Sequence, residues 1–237
     1  MDDWKLQPAR DIDLSLKERA KSLRREDGLF EALLHWAWWF VIGGYLRSYH
    51  RLKVIGHEHV PRELPFVLVA NHSSHLDALA LAAMMPPRLR HRVFPIAAGD
   101  TFFQTPGVAA FAAFVLNALP MWRKRCGSHA LHELRERIVN EPCVCILFPE
   151  GTRTRDGKMN AFKAGIGMLV AGAKIPVVPC YLAGSHEAWP AHSKLPKPRR
   201  ISVHVGEPVS FEATADERGG WESIAAELER RVRALAD

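Results

Sequence analysis

The sequence has few of the features that mark several common protein classes. Its four cysteines, Cys126, Cys143, Cys145 and Cys180, show no CxxC spacing, which argues against metal or disulfide roles. Cys143 and Cys145 alternate along an apolar stretch and so face one side, and we expect buried thiols in a reducing compartment. The first 27 residues are charged throughout, so no secretory signal is predicted.

Internal repeats, low-complexity tracts and an extreme charge are also lacking. The 32 Lys and Arg residues exceed the 26 Asp and Glu residues by a formal charge of +6. This mild excess is compatible with an anionic surface or a phosphorylated substrate, and we expect no nucleic-acid partner. A chain of 237 residues with 48 % hydrophobic and 24 % charged residues predicts one packed domain with an appendage.

The first 50 residues differ in pattern from the remainder of the chain. Residues 14–27 place leucine and alanine at helical spacing among basic side chains. Almost every residue between Ala32 and Leu46 is apolar, but this run is shorter than the ~20 residues that a bilayer-spanning helix needs. Its tryptophans, Trp36, Trp38 and Trp39, are residues that favour the depth of lipid headgroups.

We interpret residues 1–50 as membrane-binding helices that lie in one leaflet at the cytoplasmic face, followed by an α/β domain over residues 51–237. On this interpretation Trp38 and Trp39 contact the membrane. A buried core helix and a true membrane span are the two alternatives.

From Arg51 onward, apolar stretches with the period of strands alternate with stretches that have the period of helices. Such alternation predicts an α/β fold with a mixed, largely parallel sheet and helices on both faces. The predicted strands include residues 65–71, 143–149 and 175–184, and helices are predicted over residues 75–85, 105–119, 128–141, 162–173 and 221–236.

A cluster of polar residues, NHSSHLD, follows the apolar strand that ends near Ala70. His72 and Asp77 are five residues apart, which places them about 140° apart on a continuous helix. They can meet only if His72 lies in a turn and Asp77 in the first helical turn. Ser74 and Asp77 also match a capping box, in which Asp77 would only stabilise the helix start.

A chemical role explains more of this cluster than capping does. An ionised Asp77 can accept a hydrogen bond from Nδ1–H of His72, which leaves Nε2 as a general base for an alcohol. Two other interpretations are metal binding by His72, His75 and Asp77, and a nucleophilic Ser73 or Ser74. No zinc signature fits the former, and no G-x-S-x-G motif supports the latter.

A second polar block, FPEGTRTRDG, follows another buried strand. Carboxyl ends of parallel strands bind ligands in open α/β sheets, and Gly151 permits a turn there. Arg153 and Arg155 present guanidinium groups suited to a phosphate, although Arg155 beside Asp156 can equally be a solvated charge. Glu150 leaves an apolar strand as a carboxylate and needs an internal partner. Lys163 is a further candidate for phosphate binding.

Together these blocks resemble the glycerolipid acyltransferases typified by bacterial 1-acylglycerol-3-phosphate acyltransferase. NHSSHLD resembles the N-H-x-x-x-x-D signature of that family, and FPEGTRTRDG resembles its F-P-E-G-T-R-S block, with Thr154 in place of Ser. LPMWR, which ends in Arg123, and IPVVPCYL resemble two further blocks in the expected order. The resemblance covers roughly Lys53 to Leu182.

The resemblance implies which residues act and on what. His72 and Asp77 are the predicted catalytic residues. Glu150 is implied to shape the acceptor site, by binding a hydroxyl or by holding Arg153, and for Arg123 a surface role stays open. The implied substrate-binding residues are Glu150, Gly151, Thr152, Arg153, Arg123, Lys163 and Arg155.

The implied reaction is transfer of an acyl group from a thioester, on coenzyme A or acyl carrier protein, to a lysophospholipid hydroxyl. The most favoured acceptor is 1-acylglycerol-3-phosphate, and no metal or organic cofactor is expected. Alternatives are the same chemistry on a lyso-ornithine lipid or glycerol-3-phosphate, or a lipid-binding or hydrolytic protein with this fold.

Overall fold

A computed structural model describes residues 12–15, 18, 29–98, 105, 112, 116–121 and 128–236. Most of the predicted helix over residues 14–27, most of the apolar stretch over residues 105–119, Arg123 and Cys126 lie outside these residues. Within the described part of the chain, no helix is both long enough and apolar enough to cross a membrane.

Seven strands form one sheet in the order β1-β7-β6-β2-β5-β3-β4. All neighbouring strands are parallel except β6 and β7, which are antiparallel. The predicted mixed, largely parallel sheet is therefore confirmed. The strands are β1 Lys53–Ile55, β2 Phe66–Ala70, β3 Val93–Ala98, β4 Leu119–Met121, β5 Val144–Leu147, β6 Val177–Ala183 and β7 Ser202–Val205.

Helices cover both faces of the sheet, as the alternating pattern predicts. They are α1 Leu29–Ser48, α2 Asp77–Met84, α3 Ser128–Asn140, α4 Gly165–Val170, α5 Ser185–Ala188 and α6 Arg218–Ala234. Short 3-10 turns span His57–His59 and Pro87–Arg92. One apolar cluster joins α1 and α2 to the sheet, and a second joins α3, α4 and α6 to the opposite face.

The central strands β2 and β5 are buried along their whole length because helices cover both of their faces. Successive side chains point in opposite directions, so Phe66 and Leu68 enter the first cluster while Val67 and Val69 enter the second. Cys145 also enters the second cluster, and its sulfur lies 3.9 Å from that of Cys143. Both are free, buried thiols, as expected.

Two predicted helices begin later than the sequence pattern indicates. α4 begins at Gly165, and the peptide N–H groups of Phe162 and Lys163 before it donate to Glu229 and to the carbonyl of Pro149. α2 begins at Asp77, and the residues before it form a turn. The one-turn helix α5 was not predicted, because four residues are too few to show a period.

Helix α1 has two apolar faces with different surroundings. Trp39 and Leu46 are only 4 % and 0 % exposed and belong to the same cluster as the strands, with half-buried Trp38 packed against them. On the adjoining side of the helix, Trp36 is 66 % exposed and Phe40 is 74 % exposed. The expectation that Trp38 and Trp39 face a membrane is thus wrong for Trp39, since helical spacing directs it inward.

We predict that Gly167→Ala lowers the free energy of unfolding by ~1–3 kcal/mol, as expected for overpacking of a filled interface. A Cβ atom at Gly167 would overlap the backbone of Trp221, where α4 packs against α6. Gly165→Ala is the matched control, because no atom lies within 4 Å of its added Cβ. Urea unfolding of both variants measures the difference, and an equal effect would show that the close contact is unimportant.

Candidate active site

Three parallel strands deliver the polar segments of the chain to one edge of the sheet. In the order β6-β2-β5, the carboxyl ends of these strands lie side by side. The NHSSHLD segment follows β2, the FPEGTR segment follows β5, and α5 follows β6. Two segments 78 residues apart in sequence therefore meet, as Glu150 and His72 show.

His72 and Asp77 are in contact at this edge. Nδ1 of His72 lies 2.8 Å from Oδ2 of Asp77, so the ring donates from Nδ1 and keeps the lone pair of Nε2 free of a proton. The Asp77 side chain is fully buried, whereas 21 % of the His72 side chain is exposed. The pair thus has a buried carboxylate and an imidazole whose outer nitrogen faces open space.

The predicted capping box is present in a modified form, because the N–H of Ser74 donates to Asp77 as in such a box, while Oγ of Ser74 accepts from the N–H of Leu76 at 3.1 Å. Asp77 is the first residue of α2, and the residue before it makes no side-chain cap. Oδ2 of Asp77 instead accepts from the peptide N–H groups of Ser73 and Ser74, each at 2.7 Å. Ser74 donates its hydroxyl to the carbonyl of Trp189. Asp77 therefore both stabilises the helix start, as a capping box predicts, and organises the turn that carries His72.

Residues that follow β5 hold the backbone and the ring of His72 in place. Its peptide N–H donates to Oε1 of Glu150 at 2.7 Å, and its carbonyl accepts from the peptide N–H of Thr154 at 2.9 Å. Phe148 stacks on the imidazole with ring centroids 4.0 Å apart and planes 15° from parallel. These contacts, together with Asp77, leave the imidazole little freedom to rotate.

Glu150 is a buried carboxylate that accepts from two peptide groups. Oε2 accepts from the N–H of Asn160 at 2.8 Å, and Oε1 from His72. Burial raises the pKa of Glu150, and the two peptide donors lower it by less. The contacts of Glu150 are thus with loop backbone, and none is made with Arg153.

Arg153 is half-buried and lies beside the imidazole of His75. Its Nη1 is 2.5 Å from Nδ1 and 3.0 Å from Nε2 of His75. Burial lowers the pKa of Arg153, and the Asp77 charge raises it by less. Among the residues that the structure describes, no carboxylate lies within ion-pair distance of Arg153, and no group of three or more His, Cys, Asp or Glu could hold a metal.

The remaining predicted residues differ in their placement. Gly151 adopts a φ of +76°, and a Cβ atom there would lie 2.7 Å from Nζ of Lys163, so the ammonium group lies over this glycine. Thr152 and Arg155 are exposed on the same loop. Arg123 lies outside the described residues, and its role stays a prediction.

Residues 51–183 match the sequence profile of the Acyltransferase family. This range is more than half of the 237 residues. The chain belongs to the Acyltransferase family. A mouse relative, 1-acyl-sn-glycerol-3-phosphate acyltransferase alpha, is 30 % identical over 165 residues, which are 68 % of this chain and 56 % of that protein. The human beta form is 27 % identical over 177 residues, 71 % of this chain and 61 % of that protein.

A solved structure has the same fold. The crystal structure described as the 1-acyl-sn-glycerophosphate (LPA) acyltransferase, PlsC, from Thermotoga maritima superposes with a TM-score of 0.66 at 25 % identity. The match covers 86 % of this chain and 78 % of that chain. The chain spans about half the length of the curated relatives it matches first.

Sequence reasoning missed several residues that hold the site of this acyltransferase-family protein. The amide of Asn71 donates to the carbonyl of Leu182 and accepts from its N–H, which ties the end of β2 to β6. The hydroxyls of Ser73 and Ser185 are 3.2 Å apart. Phe148 could have been found as the first residue of the FPEGTR block, but Ser185 and Trp189 gave no signal in sequence.

We predict that Glu150→Gln lowers both stability and activity. The amide has one oxygen for two peptide donors, so one buried N–H is left facing an NH₂ group, at a cost of ~1–3 kcal/mol. Thermal unfolding and a rate assay measure the two effects. Glu222→Gln is the control, because Glu222 is exposed on α6. A Glu150→Gln protein with an unchanged unfolding temperature and an unchanged rate would contradict the role of Glu150 in holding the backbone of His72.

Proposed function

We propose that the protein transfers a fatty acyl group from a thioester donor to the free hydroxyl of a lysophospholipid, a 1-acylglycerol-3-phosphate, to yield a phosphatidate. The observation that supports this most strongly is the His72–Asp77 pair, with Nδ1 bonded to the buried carboxylate and Nε2 open. The names of the mouse and human relatives support the choice of acceptor.

In the proposed reaction His72 is the general base. Nε2 removes the proton of the acceptor hydroxyl as its oxygen attacks the thioester carbonyl, and the Asp77 carboxylate stabilises the imidazolium that forms. Collapse of the tetrahedral intermediate breaks the carbon–sulfur bond, and the proton on His72 can pass to the departing thiolate. General base catalysis contributes ~10²–10⁴-fold, and positioning of two substrates contributes more.

The thioester is already activated, so the chemistry needs no covalent enzyme intermediate. Coenzyme A and acyl carrier protein both present such a thioester and are both proposed donors. The hydroxyls of Ser73 and Ser74 contact Ser185 and the carbonyl of Trp189, and neither is bonded to His72. These serines therefore fit the role of structural residues better than that of a nucleophile.

Arg153 is the proposed site of the acceptor phosphate. A half-buried guanidinium without a carboxylate partner among the described residues keeps its full charge for an anion. Gly151, Thr152 and Lys163 border the same loop, and Lys163 adds a second cation near Gly151. We retain Arg155 and Arg123 as candidate acceptor contacts, and Glu150 as the residue that holds the loop.

Thiol release from an acyl thioester, with and without lysophosphatidate, tests the proposed function. We expect release that depends on the acceptor, a loss of at least ~10²-fold in His72→Ala, and a strong loss in Asp77→Asn. Asn at position 77 can still accept from peptide N–H groups but lacks the charge that stabilises an imidazolium. His132→Ala is the control, because His132 is exposed on α3.

The outcomes of this assay separate the alternatives. Release to water without acceptor indicates a hydrolase, and binding of lipid without release indicates a lipid-binding protein. Glycerol-3-phosphate and a lyso-ornithine lipid, each tested as the acceptor, show whether the protein acylates one of these molecules instead of lysophosphatidate. A folded His72→Ala protein that keeps more than ~1 % of the rate contradicts the general-base assignment.

We further propose that the exposed face of α1 binds the cytoplasmic face of a membrane, where lysolipid substrates reside. Its large apolar side chains, Leu33, Trp36, Phe40 and Val41, are each more than 60 % exposed. A contiguous exposed apolar patch marks an interaction site, and tryptophan favours the interface of a bilayer. Exposed Arg47 and Arg51 at the end of α1 can contact anionic headgroups.

We predict that Trp36→Ser with Phe40→Ser weakens binding to anionic vesicles by tenfold or more, because each exposed ring that enters lipid contributes ~1.5–3 kcal/mol. Sedimentation with vesicles measures the effect, and thermal unfolding should stay unchanged because both side chains are exposed. Val139→Ser on α3 is the control, since Val139 is 39 % exposed on the other side of the sheet. The proposal is contradicted if the unaltered protein, the double variant and the Val139→Ser control bind vesicles equally well.

A further inference from the structure

His75 lies in the same turn as His72, between β2 and α2, but its side chain contacts Trp189 and Arg153. Its ring packs against Trp189, with centroids 5.0 Å apart, and its peptide N–H donates to the carbonyl of Trp189 at 3.3 Å. Nη1 of Arg153 lies against the ring nitrogens at 2.5 and 3.0 Å. The imidazole is therefore enclosed between the guanidinium of the β5 loop and the indole that follows α5.

The contact with Arg153 requires a neutral His75. A guanidinium has only donors and repels a second cation, so the imidazole beside it is neutral, and a hydrogen bond with the backbone of Ala191 also holds the ring. Burial lowers the pKa of His75 most, and the charge of Arg153 lowers it further, against smaller opposing effects of the Ala191 carbonyl and Asp77. Together these effects favour the neutral form of the ring.

A neutral acceptor suits an arginine that binds an anion. A carboxylate in the place of His75 would orient the guanidinium but would also cancel its charge. An imidazole lone pair orients Nη1 and leaves the net charge of +1 intact. Orientation matters because a free arginine side chain loses rotamer entropy when it is fixed, and binding of a phosphate would otherwise have to overcome that loss.

We propose that His75 is a positioning residue that aims the guanidinium of Arg153 at the phosphate of the acceptor. The inference rests on the proposed role of Arg153 in acceptor binding. It predicts that His75 acts on acceptor affinity, through Arg153, and has little influence on the chemical step or on the thioester donor. A purely structural His75, which only packs on Trp189, predicts equal losses for both substrates or a loss of stability.

Two substitutions separate these roles. His75→Phe keeps an aromatic ring against Trp189 and removes the lone pair, whereas His75→Gln restores an uncharged acceptor. We expect His75→Phe to raise the KM for short-chain lysophosphatidate by about tenfold, the order expected for loss of a hydrogen bond to a charged group, with kcat and the donor KM within about twofold of the original. His75→Gln should recover most of the acceptor affinity.

A double-mutant cycle with Arg153→Ala identifies the path of the effect. If His75 acts through Arg153, His75→Phe has little further effect on acceptor KM once Arg153 is alanine. Additive effects of the two substitutions overturn the proposal, as does an unchanged acceptor KM in His75→Phe. If His75→Phe does not fold, the cycle is run with His75→Gln and His75→Leu, and failure of Gln to exceed Leu in acceptor affinity also overturns it.

The single variants keep this inference distinct from the proposed function. If Arg153→Ala leaves acceptor KM unchanged, the proposed phosphate site is wrong, and the role of His75 is wrong with it. If Arg153→Ala raises acceptor KM while His75→Phe does not, acceptor binding by Arg153 stands and only the positioning role of His75 is wrong.

Discussion

One oxygen of the buried Asp77 carboxylate accepts three hydrogen bonds, and the arrangement of the site depends on it. Nδ1–H of His72 and the peptide N–H groups of Ser73 and Ser74 converge on Oδ2. A buried carboxylate needs such donors, because without them it would lose its hydration uncompensated. The same contacts stabilise the turn and fix the orientation of the His72 imidazole.

Glu150 lies in the turn that follows β5, and it shares a property with Asp77. Each is buried, and each accepts hydrogen bonds from peptide N–H groups instead of from an arginine. Arg153 therefore stays without a carboxylate partner among the described residues, beside a neutral His75. Backbone N–H groups donate to the two carboxylates of this site, and an uncharged ring orients its guanidinium. Such a site is suited to an anionic ligand.

Much of the fold was predictable, and the errors have physical reasons. Strands β2, β5 and β6 and helices α3 and α6 have strong local periods, so their positions followed from sequence. The starts of α2 and α4 did not, because distant contacts hold the turns before them: the N–H of His75 donates to the carbonyl of Trp189, and that of Phe162 donates to Glu229. The apolar composition of α1 was visible in the sequence, but the sequence of a helix that is apolar on all sides does not show which face packs on the core.

By itself the sequence determined that His72 and Asp77 can meet only across a turn, because their spacing excludes a shared helix face. It also placed Arg153 after a buried strand, at the edge of a parallel sheet where ligands bind. Only the tertiary structure decided that Glu150 braces His72, that Phe148 stacks on it, and that His75 turns toward Arg153. Those contacts join residues 76 or 78 positions apart, and local patterns carry no information about pairs that only the parallel pairing of β2 with β5 brings together.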